Sequence, residues 1–116
     1  DSSKVVRNLS NASYYGDLEA SYTLARLYAE GIIVAKDLKS MVQSLEEMRI
    51  GPNSNDSQRK LVQQMYDAYK PTEYQINEGR KTYRRVTASG QLTNSAKFKP
   101  QNDRKTILNK SNVYDR

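Results

Sequence analysis

Residues 20–37 read ASYTLARLYAEGIIVAKD, and the spacing of this stretch decides how the chain is built. Ala20, Leu24, Leu27 and Tyr28 recur at helical intervals and share one face. Asp17 stands in front of them as an N-cap, and Gly31 stops the run. Val34 then lies in a short turn, and Asp37 is placed to cap the next helix. Small residues at Ala20 and Ala25 let a neighbouring helix approach closely, while Leu24 and Tyr28 fill the space between the paired helices.

Working outward, Val5, Val6, Leu9 and Ala12 form an earlier helical stripe that closes at Gly16. After Asp37, the residues Leu38, Met41, Val42, Leu45 and Met48 give the cleanest amphipathic pattern in the chain, ending before Gly51-Pro52. Residues 51–57, GPNSNDS, are a loop by composition, with Asp56 or Ser57 able to cap a further helix. That fourth helix groups Leu61, Met65, Ala68 and Tyr69 and ends at Pro71. A fifth is predicted over about residues 73–87, with Ile76, Tyr83 and Val86 on one face and Gly79 as an awkward interior residue. The expected fold is all-α: a short antiparallel helical-repeat array over 1–70, a capping helix within 71–88, and a basic, irregular or disordered arm over 89–116.

Composition limits what such a chain can do. It has no Cys and no His, which takes disulfides, thiol nucleophiles, imidazole bases and most zinc sites out of consideration. No catalytic residues, metal ligands or cofactor-binding residues are therefore assigned, and the chain is read as a non-enzyme without a cofactor. The net charge of +6 is unevenly placed. Residues 1–69 hold eight Lys/Arg against nine Asp/Glu, a net of −1, whereas residues 70–116 hold eleven against four, a net of +7. Such asymmetry predicts a partner with an acidic surface. No run of apolar residues is long enough to span a membrane.

Ala12, Gly16, Ala20, Leu24, Ala25, Tyr28, Gly31, Val34 and Asp37 together resemble the Sel-1-like repeat, a relative of the tetratricopeptide repeat. One departure is visible: Ile33 stands where that pattern has the second Gly of its turn. Leu61, Val62 and Met65 continue it in degenerate form. The resemblance implies a scaffold, adaptor or other protein-binding module on a helical surface. In bacteria it further implies export, and in some cases a lipid-anchored periplasmic immunity protein that neutralises a secreted toxin or effector by stoichiometric binding. The chain begins Asp1-Ser2-Ser3-Lys4 without Met, which reads as a processed mature start or as a shortened piece, with a cytoplasmic location as the alternative to the periplasm.

Two groups of residues are candidates for partner contact. Tyr15, Tyr22 and Tyr66 are expected at an interface, since tyrosine offers a large rigid area with a polar tip, with plain surface positions as the alternative. Arg80, Lys81, Arg84 and Arg85 are expected on one helix around Tyr83, where they would meet an acidic protein or lipid headgroups or else form a solvated face with no specific role. Nucleic acid is the weaker alternative, because no nucleic-acid-binding motif accompanies them. Glu46 and Glu47 are adjacent, cannot serve one substrate as an acid/base pair, and are read as a solvated helix face.

Overall fold

Three aspartates and an asparagine set the first four helix starts, each by covering backbone donors that the first turn leaves bare. In the computed structural model, which describes residues 1–87 and 90–94, Asp1 caps α1 (Ser2–Tyr14), Asp17 caps α2 (Leu18–Glu30) by accepting from Ala20 N at 3.0 Å, and Asp37 caps α3 (Leu38–Ile50) by accepting from Lys39 N and Ser40 N. The cap of α4 (Asp56–Tyr69) is Asn55, one residue ahead of the expected Asp56 or Ser57. Thr72 and Gln75 form a reciprocal capping box at the head of α5 (Glu73–Lys81).

Among the described residues the fold is all-helical apart from one small hairpin. The predicted fifth helix over 73–87 ends early, at Lys81, because the chain leaves the helix at Thr82 and enters β1 (Arg84–Val86). That strand pairs antiparallel with β2 (Leu92–Asn94), Arg85 opposite Thr93. Most of the arm expected over 89–116 lies outside the described residues; within it, Gly90 to Asn94 are ordered as the return of this hairpin.

At the centre is α3, which packs on α2, α4 and α5. Met41, Val42, Leu45 and Met48 are fully buried there, joined by Ala25 and Ala29 from α2, Val62, Met65 and Tyr66 from α4, and Ile76 from α5. The α4 face is thus turned from the expected Leu61–Met65–Ala68–Tyr69 grouping: Val62 and Tyr66 point inward, Leu61 and Tyr69 are half-buried, and Ala68 is exposed. The first helix packs on α2, where the Ser13 and Ser21 hydroxyls meet at 2.6 Å inside the contact.

The packing residues of the 20–37 stretch occupy three environments. Ala20, Leu24 and Ala25 are buried, as close helix packing requires. Tyr28, Val34 and Asp37 are half-buried. Gly31 is the exposed left-handed C-cap of α2 at φ 69°. Ile33, two residues on, has φ 57° and is exposed. A β-branched side chain in that region costs about 1–2 kcal/mol.

Gly79 also finds its reason in the packing. A Cβ there would stand 2.6 Å from both the Lys39 carbonyl oxygen and Val42 Cβ, so α5 lies directly against the backbone of α3 at this point. Gly79→Ala is expected to cost about 1–3 kcal/mol through overpacking, more than the roughly 1 kcal/mol of helix propensity it gains. Ile33→Gly is expected to act in the opposite sense, raising stability by up to about 1 kcal/mol. Urea midpoints of the two variants against the parent chain check both signs.

Candidate functional site

Glu46 and Glu47 sit on α3 with its apolar stripe, and both are only 1% exposed. The solvated face expected for them is incorrect, because α3 is enclosed by α2, α4, α5 and the hairpin rather than by one neighbour. Adjacent residues on a helix point about 100° apart, so the two carboxylates face different elements and need separate partners. Glu46 is held by Arg49 in a bidentate pair, Nε to Oε1 at 2.7 Å and Nη2 to Oε2 at 3.0 Å. Arg80 Nε approaches the same carboxylate at 3.5 Å. Glu47 instead accepts a hydrogen bond from the Tyr83 hydroxyl at 2.7 Å and is paired with Arg85 Nη2 at 3.5 Å.

Burial raises the Glu47 pKa, and the Tyr83 hydrogen bond and Arg85 only partly oppose that rise. The Tyr83 phenol is raised too, first by burial and then by the Glu47 charge beside it. Tyr66 is pushed up to about 12 by burial, with the Glu46 charge adding to it. At neutral pH both phenols are therefore neutral donors. Arg80 lies 6.0 Å from the centroid of the Tyr66 ring.

This arrangement divides the candidate contact residues. Tyr66, expected at an interface, is 1% exposed and part of the core, because α4 turns it toward α3. Arg85 is buried against Glu47, and the Arg80 side chain is only 16% exposed against Glu46, so neither offers its charge to an outside partner. The four basic residues also do not share one helix: Arg80 and Lys81 end α5, whereas Arg84 and Arg85 alternate across β1. Lys81 and Arg84 remain exposed. Tyr15 is 73% exposed at the end of α1, and Tyr22 is half-buried against the core.

Tyr14, the residue before Tyr15, lines a cleft that the sequence did not single out. Ser10, Ser13 and Tyr14 of α1 form one wall, with Leu24 and Tyr28 of α2 beside them. Gln43 and Ser44 of α3 face them, and Tyr83 and Arg84 close the remaining side. Its volume is about 100 Å³. Gln43 donates to the Thr82 carbonyl at 2.7 Å and so fixes the chain where it enters β1. Tyr83 connects the cleft to the interior, since its hydroxyl reaches Glu47. The residues lining it come from four separated segments, which is why spacing along the chain did not reveal it. Among the described residues no group of three or more acidic side chains is placed to hold a metal ion, and no helix is long and apolar enough to cross a membrane.

Compared with known proteins, the chain matches no family model, no curated protein and no solved structure.

Removing Glu46 leaves Arg49 buried without its bidentate partner, a loss expected to cost about 3–5 kcal/mol in Glu46→Ala. Chemical denaturation measures it. Glu47 has a distinct pH signature. Its folded-state pKa lies above the ordinary value of 4.5, so the stability linked to it is fully present below 4.5 and is lost as pH rises through the folded value. Relative to the parent chain, Glu47→Gln should therefore gain stability as pH is raised from below 4.5 to neutrality, read as a converging or crossing pair of urea midpoints.

Proposed function

We propose that the chain is a protein-binding module whose helical array serves as a rigid frame for recognition. The observation that carries this reading is the surface at the end of α1. There Tyr15 is 73% exposed, and the residue before it, Tyr14, lines a cleft rich in hydroxyl groups and bordered by the exposed Arg84. Aromatic area with a polar tip beside directional hydrogen-bond donors is the composition of an interface centre. The buried carboxylates and their arginines support the same reading. They are engaged with one another, so their role is to fix helices and not to meet a partner.

The resemblance of residues 12–37 to a Sel-1-like repeat gives the proposal its specific form: an immunity or inhibitor protein that neutralises a secreted bacterial effector by stoichiometric binding. A periplasmic location goes with that form, and a general adaptor role is its alternative. An acidic patch on the partner would complement Lys81, Arg84 and the overall charge of +6.

Affinity purification with the full chain and with Tyr15→Ser tests the module. One partner should be recovered in equimolar amount by the parent chain and be lost or strongly reduced with the variant, whose fold is checked by circular dichroism. No equimolar partner, or equal recovery with both, overturns the reading. Co-expression separates the two forms, since an inhibitor restores growth of cells producing the partner and an adaptor does not.

A further inference from the structure

The walls of the cleft present donors and one positive charge, with no carboxylate among them. Ser10, Tyr14 and Tyr28 bring hydroxyls from two helices, and these hydroxyls have no hydrogen-bond partner among the described residues. Tyr28 is held neutral, its pKa raised by burial and by the charge of Asp37, so it enters the cleft as an O–H donor. Arg84 supplies the positive charge and forms no ion pair among the described residues, unlike Arg80 and Arg85 beside it. This set of groups suits an anion that accepts several hydrogen bonds.

We propose that this cleft receives the carboxylate of a Glu or Asp side chain presented by the partner protein, with Arg84 as its counter-ion and Ser10, Tyr14 and Tyr28 as hydroxyl donors. The proposal rests on the binding-module reading and adds to it the chemistry of the recognised group. Charge and size favour a carboxylate over a phosphate group. A single guanidinium balances a single negative charge, whereas a phosphate dianion needs a second cation. A volume of about 100 Å³ accommodates the tip of one side chain and leaves no room for a larger ligand. Tyr83 forms part of the same wall, and its bond to Glu47 keeps that wall in place before any partner arrives.

The test titrates the full chain, at constant ionic strength, with the end-blocked peptides Gly-Glu-Gly and Gly-Gln-Gly and with inorganic phosphate, following backbone amide resonances. With the Glu peptide, saturable shifts are expected at Ser10, Ser13, Tyr14, Tyr28 and Ser44. The Gln peptide should leave these resonances unmoved. Arg84→Gln should weaken binding about tenfold, the loss of one charge-assisted hydrogen bond, and Ser10→Ala should weaken it less. The proposal is overturned by any of three results: no saturable response to the Glu peptide, an equal response to the Gln peptide, or tighter binding of phosphate than of the peptide. Recovery of the purified partner separates this idea from the one beneath it. A partner lost by Tyr15→Ser yet retained by Arg84→Gln overturns the carboxylate assignment and leaves the module reading standing.

Discussion

Two neighbouring carboxylates on a helix packed between three others and the hairpin set the terms for the rest of this molecule. A buried charge without a partner costs several kcal/mol, so Glu46 and Glu47 must each be met from the direction they face. For Glu46 the answer is partly local, since Arg49 lies one turn along on the same helix. Nothing local serves Glu47. Tyr83 and Arg85 reach it only because α5 runs close along α3 and the chain then breaks out of helix at Thr82. The contact at Gly79 and the Gln43–Thr82 hydrogen bond both hold that path.

The same constraint redistributes the charge. A cluster of four basic residues reads in sequence as a positive patch, but half of it is spent inside, against the α3 carboxylates. What stays outside is narrower: Arg84 at the cleft, together with the exposed Lys81 and Tyr15. On a strand, residues one apart face opposite ways, so Arg84 and Arg85 divide naturally into one outward and one inward arginine. Interior and surface are therefore linked by one short strand.

Much of the helical frame was legible in the sequence because its signals are local. Asp17, Gly31, Asp37 and Pro71 mark boundaries through backbone chemistry that acts within a few residues, and the structure places those boundaries where they were expected. The end of α5 was not legible. Ile76, Tyr83 and Val86 keep a helical period, and the contacts that accompany the turn at Thr82, from Gln43 to its carbonyl and from Glu47 to Tyr83 and Arg85, span 36 or more positions. Tyr66 was misplaced for a related reason: the face of α4 that turns inward is chosen by α3, and Leu61, Met65 and Tyr69 made an equally regular stripe. The cleft needed four segments at once. A partial clue did exist for the buried charges, in the spacing of Glu46 to Arg49 and in a helix whose glycine at 79 had no role of its own.

The Glu47 partnership also bears on how the chain can acquire its fold while it is being made. The carboxylate leaves the ribosome well before the residues that neutralise it, with α4, α5 and the Thr82 turn still to be synthesised. Until Tyr83 and Arg85 have emerged, the side of α3 that carries Glu47 lacks its covering residues, and the carboxylate stays in water. Completion of this part of the interior therefore waits for the far end of the domain, because Tyr83 and Arg85 are what cover Glu47.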